Sequence, residues 1–411
     1  MPSYKMKLIK QIITVVILFS AASACKKLLP PSPEPEETLA EPLEGLTQQQ
    51  LLLFSLGDAN FAHIFSREEG LGPIFVQTSC ENCHAGDGKG NPFNNLTRFG
   101  KYNGSVWDPL YNQGGPQLQQ RSITGYLAET LPQDAAFTNL LPPNVTGLGF
   151  LEAVSDSSLL ALSDSADLDG DGISGKVNWI SPPKYFTPKS THVAQNGKYI
   201  GRFGRKASSI DLITRVTDAY HDDIGITTIN EPIDPLNYSV SGLNGDNAPD
   251  PEISSSIMNQ TVFYMRTLKN PPRRKEDDAE VKEGETIFIQ LGCVKCHVQN
   301  LTSGYSEIEA LSYKTFHPYT DLLLHDMGSS LDDGYTEGSA ASNEWRTPPL
   351  WGLGLQESSQ GGKMFLLHDG RAMSFEDALL YHGGEATSAR AKFLQLSETE
   401  KQKLFSFLKS L

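Results

Sequence analysis

The chain has little cysteine: five residues in 411. That is too few for a disulfide-dense scaffold, and the count is odd, so one cysteine must differ in role from the others. Basic excess is also missing. Lys and Arg number 34 against 49 Asp and Glu, a formal charge of −15; such a chain repels phosphate backbones, which excludes nucleic acid as an expected partner. The N-terminal apolar run covers only residues 12–19, short of the roughly 20 residues that span a bilayer. What is present, 38% hydrophobic and 20% charged residues, describes a loop-rich globular chain long enough for two or three domains.

The N-terminus accounts for the odd cysteine. Lys5, Lys7 and Lys10 precede the apolar run, and Ala22-Ser23-Ala24-Cys25 follows it. A basic start, a short apolar segment and small residues read as a bacterial export signal over residues 1–24. Small residues directly before Cys25 resemble a lipobox, which makes Cys25 a lipid anchor; simple cleavage after Ala24 is the alternative. The chain is then expected on a periplasm-facing membrane or the cell surface. Residues 25–45 are rich in Pro and Glu and read as an extended tether.

The other four cysteines form two C-x-x-C-H motifs: Cys80, Cys83 and His84, then Cys293, Cys296 and His297. Two thiols three residues apart lie on one side of a helical turn and reach the two vinyl groups of one haem. The histidine that follows supplies an imidazole nitrogen to iron, so each motif reads as c-type haem attachment with a proximal histidine. A four-cysteine zinc site would bring the pairs closer in sequence, and local disulfides would not call for a histidine after each pair. Ile-Phe-x-Gln precedes both motifs, at 74–77 and 287–290. This repeat predicts a helix feeding each motif and two related haem domains.

The expected fold is mainly α, with two cytochrome c-like haem domains, long irregular loops and minor β. The N-terminal domain is expected over 46–270, a Pro- and charge-rich linker over 271–278, and the C-terminal domain over 279–411. Ser397 and Glu400 make a capping box for a final amphipathic helix carrying Leu404, Leu408 and Leu411.

The sixth iron ligand decides whether a haem relays electrons or binds a small oxidant. His63, His192, His221, His317, His325, His368 and His382 remain available. His382 stands out: Ser374 and Asp377 cap a helix whose far end carries it. Met327, Met364 and Met373 are weaker candidates, since methionine more often fills a core. Trp107, Trp179, Trp345 and Trp351 are candidate bridges between haems, although tryptophan too is more often core.

Seven ordered stretches now allow a family comparison: 115–123 (GPQLQQRSI), 147–154 (GLGFLEAV), 167–178 (DLDGDGISGKVN), 201–207 (GRFGRKA), 319–328 (YTDLLLHDMG), 344–354 (EWRTPPLWGLG) and 366–386 (LLHDGRAMSFEDALLYHGGEA). Over about 65–411 the chain resembles the bacterial di-haem oxidoreductases, peroxidase-like by family description and sometimes labelled thiol oxidoreductases, distant cousins of di-haem cytochrome c peroxidases. The resemblance implies His297/His382 ligation of the second haem, a low-spin centre that stores and relays electrons, and a peroxide site at the first. No histidine follows His84 closely, so its sixth position is expected open, with remote Lys206, His221 or Met258 as alternatives. Glu152, within GLGFLEAV, is the candidate acid–base group, with a solvated helix glutamate as the bland alternative; Arg205 and Lys206 are candidates to polarise peroxide or hold a propionate. Arg346 suits a buried carboxylate.

Asp167-x-Asp169-x-Asp171-Gly172 opens like a calcium loop, with Asn178 in place of the usual bidentate Glu; an Asx-rich surface turn is the alternative. The expected function is an exported di-haem c-type oxidoreductase of peroxidase type. Its expected substrate is peroxide-like, and its donor a small redox protein or quinol-linked. The alternatives are a pure electron carrier and peroxide-driven oxidation of a partner protein. The cysteines are thereby used up, one for lipid and two per haem, which leaves none for thiol catalysis.

Overall fold

Five helices carry the architecture: α1 (Gln48–Ala62), α2 (Ser255–Thr267), α3 (Ala279–Leu291), α4 (Phe375–Tyr381) and α5 (Glu398–Ser410). The computed structural model describes residues 38–238, 240, 245, 246 and 248–411. The export signal, Cys25 and tether residues 25–37 lie outside the described residues. Each helix starts on a side chain that accepts an otherwise orphaned N–H: Thr47, Ser254, Asp278, Ser374 and Ser397. The capping box expected at Ser397 and Glu400 is present.

Helix α1 packs on α2, and α3 packs on α5. Glycine allows both contacts. A Cβ on Gly57 would come within 2.3 Å of the Gln260 carbonyl oxygen, and one on Gly284 within 2.0 Å of that of Lys403. Four residues on, Phe61 lies 5.4 Å from the Tyr264 ring and 6.1 Å from His84. Phe288 likewise lies 5.1 Å from Phe407 and 6.2 Å from His297. Glycine lets the backbones close, and the aromatic one turn later wedges between the partner helix and the motif's histidine. The chain therefore repeats a helix pair beside each C-x-x-C-H.

This repeat is not in the expected place. Ile287 to Gln290 are helical within α3, but Ile74–Phe75 is a strand paired with Arg121–Ser122. Pro73 and the donation of Val76 and Gln77 N–H to the Asp223 carbonyl leave no helical ladder there. The true counterpart of α3 is α1, set further from its motif by residues 63–79.

The described chain is about one third helical, with short strands in small sheets, so helix is less dominant than expected. Strand Leu96–Asn103 lies between Val106–Asp108 and Ala136–Leu140, and Lys198–Gly201 between Asn178–Ile180 and Ala194–Gln195. Leu324–Asp326 pairs antiparallel with Glu344–Arg346, with His325 opposite Trp345.

Two expected boundaries differ. The tether already packs at its C-terminal end: Leu39 and Leu43 are buried, and Leu43 N–H donates to the Thr267 carbonyl at 2.7 Å. The 271–278 linker is pinned too. Arg273 pairs with Glu285 at 2.8 Å and lies over the Phe407 ring, while Arg274 N–H donates to the Ser410 carbonyl. Leu39–Leu411 is accordingly one compact unit. No helix among the described residues is long and apolar enough to cross a membrane.

The close crossings give a test with a decisive sign. Helix propensity alone would favour Ala over Gly by about 1 kcal/mol. Steric closure at Gly57 and Gly284 predicts instead that Gly57→Ala and Gly284→Ala each destabilise by roughly 1–3 kcal/mol, read by urea unfolding. Stabilisation by either substitution contradicts the packing.

Candidate di-haem site

A continuous cavity of about 380 Å³ is lined by both C-x-x-C-H motifs. Phe61, Tyr220 and Met265 line it from the first helix pair and its neighbours, and Phe288, Leu404 and Leu408 from the second. Each motif forms one turn, with His84 N–H donating to the Cys80 carbonyl at 3.0 Å and His297 N–H to that of Cys293 at 2.9 Å. None of the four cysteines is in a disulfide. Burial raises all four thiols, Cys80 and Cys293 to about 12.

The histidines are set up as ligands. His297 donates its Nδ1–H to the Tyr319 carbonyl at 2.9 Å, and His382 its own to the Ala378 carbonyl at 2.7 Å. Each bond fixes the tautomer that leaves Nε2 with a lone pair. His382 caps the C-terminus of α4 and lines the cavity with His297, near enough for its charge to lower the His297 pKa. Burial is the main cause that takes His84 and His297 down to about 4, and it lowers His382 as well. All three are thus neutral near pH 7, the form that binds iron.

The cations of the cavity fit a group that carries carboxylates. Arg346 N–H donates to the Arg205 carbonyl at 3.0 Å, and the charge of Arg346 is felt at Arg205. Arg205 donates to the Leu141 carbonyl at 2.8 and 3.0 Å; Arg346 donates to the carbonyls of Gly204 and Thr347. Neither has a carboxylate partner among the described residues. Burial, then the charge of Arg346, lowers Arg205 to about 9, and burial lowers Arg346 to about 10. Buried Lys89 also bonds only carbonyls, those of Phe365 and Leu367. Buried cations without anions are costly, and haem propionates are anions of the right kind. The residues present therefore fit a haem at each motif.

Lys206 and Glu152 sit elsewhere. Lys206 is fully buried outside the cavity lining, with Nζ donating to the carbonyls of Ala341, Ser342 and Glu344 and lying 3.7 Å from the Trp345 ring centroid. It braces the indole. Glu152 is likewise absent from the lining. Burial would raise its carboxyl, but Arg266, bonded through Nε at 2.6 Å and its terminal nitrogen at 3.1 Å, and Leu212 N–H hold it below the usual range. A carboxylate so engaged is a crosslink. The cavity-lining carboxylate on the first-motif side is Asp223, close enough to raise the Cys80 thiol. It accepts from Gln117 at 2.5 Å, and burial raises its pKa.

The expected calcium loop does not assemble as expected. Asn178 is buried and bonds Lys206, Glu337 and Ser339. Asp171 pairs with Lys295 at 2.7 Å. Asp167 and Asp169 cluster with Asp164 instead, their oxygens taken by N–H groups of Gly172 and Asp171. Of the remaining candidates, His221 bonds Asp222 and the Ile233 carbonyl, and Met258 lies in the core; neither lines the cavity. His63, His192 and His317 engage Glu69, Phe186 and Asn300. Trp345 is the tryptophan that lines the cavity, with His368 stacked on it at 3.7 Å and 8°.

One group has a role that the sequence did not suggest. Buried His325 meets Asp321 through Nε2 at 2.8 Å and Glu385 through Nδ1 at 2.6 Å, with the Cys296 sulfur 3.6 Å away. Glu385 also accepts from Ser174, and so ties down the loop that follows His382. Burial opposes the charge on His325, but hydrogen bonds to Asp321, Cys296 and Glu385 push its pKa up to about 12. Asp321 and His325 stand four residues apart on non-helical backbone, and Glu385 lies sixty residues on, so no local pattern marked the triad.

A model of the family described as "Di-haem oxidoreductase, putative peroxidase" matches residues 128–411, which takes in the second motif but not the first. No curated protein matches the chain. Among solved structures, hydrazine synthase of Kuenenia stuttgartiensis is similar at 14% identity and a TM-score of 0.38, over 93% of this chain and 95% of that one. A MauG-like protein associated with microbial copper homeostasis is similar at 15% identity and a TM-score of 0.30, over 64% and 87%. Likeness at that level carries no argument about fold or function.

Removing His325 leaves two buried carboxylates unbalanced, so His325→Gln should cost about 3–5 kcal/mol near neutral pH. The folded-state pKa lies above the ordinary 6.5. The folded chain therefore holds the extra proton above that pH. The contribution of His325 is full below pH 6.5 and declines as pH rises, by up to about 1.4 kcal/mol per unit. Urea unfolding at pH 6 and pH 9 should show the gap between wild type and variant narrowing at the higher pH; an unchanged gap refutes the charged triad.

Proposed function

The chain belongs to the di-haem oxidoreductase family, and on that premise we propose that it is an exported c-type cytochrome enzyme of peroxidase type. In this reading Cys80 and Cys83 hold the first haem covalently and Cys293 and Cys296 the second, each within a cytochrome c-like helix pair. The haems supply peroxide cleavage and electron storage. The observation that carries the reading is the asymmetry of the shared cavity. His382 stands with His297 on the second side, while the groups that the sequence offered to the first, Lys206, His221 and Met258, are committed outside the cavity. The first site is thus the one that takes peroxide.

The protein's own residues do the rest. Tyr319 and Ala378 orient His297 and His382 through their Nδ1–H bonds. Arg205 and Arg346 hold propionates. Asp223, with Gln117 on one oxygen and Arg215 3.7 Å from the other, takes the first proton from peroxide and returns it to the departing oxygen; it replaces Glu152 in that role because it lines the cavity and Glu152 does not. The electron donor is a small redox protein or a quinol-linked donor, and Cys25 tethers the enzyme to a membrane.

Spectra test the ligation. The oxidised protein should show one low-spin haem, and His382→Gly should convert it to high spin; an unaltered spectrum removes His382. Absence of any high-spin haem in every redox state would instead make the protein an electron carrier, with Met265 or Met327, both lining the cavity, as candidate sixth ligands. Asp223→Asn should lower peroxide consumption by about a hundredfold or more with both haem spectra intact. Unchanged turnover would exclude Asp223 as the base.

A further inference from the structure

We propose that Asp234, Asp246 and Glu252 form a calcium site that ties these three residues to the segments supporting the first C-x-x-C-H motif. One carboxylate oxygen from each residue lies within 4.8 Å of those of the other two. Asp246 is 5% exposed and Asp234 9%. Each carboxylate is aimed by its second oxygen. Asp234 Oδ2 accepts from Asp246 N–H at 2.9 Å, Asp246 Oδ1 from Ala248 N–H at 2.6 Å, and Glu252 Oε2 from the N–H and hydroxyl of Thr227. The first oxygens, Asp234 Oδ1, Asp246 Oδ2 and Glu252 Oε1, are buried and have no hydrogen-bond partner. Three fixed acceptors with nothing to accept from are what a hard cation requires.

No basic side chain pairs with these carboxylates among the described residues. His221, the positive group whose charge reaches Asp234, bonds Asp222 and the Ile233 carbonyl instead. Burial raises Asp234 and Glu252, and the neighbouring Asp250, hydrogen-bonded to Glu252 and to the Thr227 hydroxyl, raises both further, which is the cost of crowding like charges away from water. Three carboxylates from separate turns suit calcium better than magnesium, which keeps more of its water and demands a stricter octahedron. The acidic loop at 164–171 differs in burial: Asp169 is exposed and Asp164 and Asp167 are half-buried, and none of their oxygens is buried without a partner.

The position gives the cation its task. Glu252 lies against Gly70, where a Cβ would come within 2.0 Å of its Cγ. Thr227 follows the π-helical turn Ala219–Ile224, whose Asp223 carbonyl holds the N–H groups of Val76 and Gln77, just before Cys80. Calcium at this point would join three segments that support the first motif. The proposal does not depend on the function proposed above.

The test uses the full-length, haem-loaded protein stripped with a calcium chelator and titrated with calcium chloride by calorimetry, with magnesium chloride as a parallel arm. One calcium should bind per chain, and the melting temperature should rise by about 3 °C or more at a hundredfold excess over Kd. Glu252→Gln, at the less buried position, should weaken binding at least tenfold, and so should the pair Asp234→Asn and Asp246→Asn if it folds. The pair Asp167→Asn and Asp169→Asn should leave binding within twofold. No calcium binding by the stripped wild type, binding lost with the second pair instead, or an equal response to magnesium overturns the assignment.

Discussion

A single backbone hydrogen bond, from Arg346 N–H to the Arg205 carbonyl, joins two segments 141 residues apart and sets the character of the cavity. It brings together the segments that carry half-buried Arg205 and buried Arg346, close enough for the charge of Arg346 to be felt at Arg205, and beside them Lys206 and Trp345 as a stacked pair. A guanidinium stripped of water and given only carbonyls recovers part of its hydration energy, and two that repel each other recover less. The protein part of this site is therefore electrostatically incomplete. Asp369 and Asp321 act on these cations only from a distance, and the carboxylates of a bound cofactor would supply the closer partners that the chain omits.

Around that junction the two helix pairs repeat one device and diverge in another. Gly57 with Phe61 and Gly284 with Phe288 give each motif the same close crossing and the same aromatic wall behind its histidine. The divergence lies in what the cavity receives from outside the pair. The second motif has α4, whose C-terminal histidine is aimed by its own helix carbonyl, and a loop after it clamped by the Asp321–His325–Glu385 triad. The first has Asp223 on an irregular turn.

How much of this was readable in the sequence follows from the range of each interaction. The two motifs, the caps at Ser374 and Ser397 and the place of His382 rest on spacings of three to eight residues; the structure has both caps and has His382 at the end of its helix. Glu152 looked like an acid–base group because its partner, Arg266, is 114 residues away. Asn178 stood at the twelfth position of a calcium loop, but its amide is spent on Lys206 and Glu337, an engagement without local signature. The Ile-Phe-x-Gln repeat misled for a subtler reason. Identical side chains before each motif concealed a different backbone, because Pro73 and the Asp223 carbonyl override helix at one copy. The glycine–phenylalanine repeat that the helices share was equally local but offset from the motif, so alignment on the cysteines passed over it.

The stack at Trp345 shows how the same constraint reaches the traffic between the two sites. The indole is held from three directions: by Lys206 on its face, by His368 stacked at 8°, and by the Leu331 carbonyl that accepts its Nε1–H at 2.8 Å. Burial lowers His368 to about 3, so that imidazole is neutral; burial lowers Lys206 only to about 8, so the ammonium remains largely charged near neutral pH. Removing an electron from the indole would place a second positive charge 3.7 Å from Lys206 Nζ and convert a cation–π attraction into repulsion where little water can screen it. The arrangement therefore stabilises the neutral ring. Trp345 is thereby held as a fixed wall of the cavity.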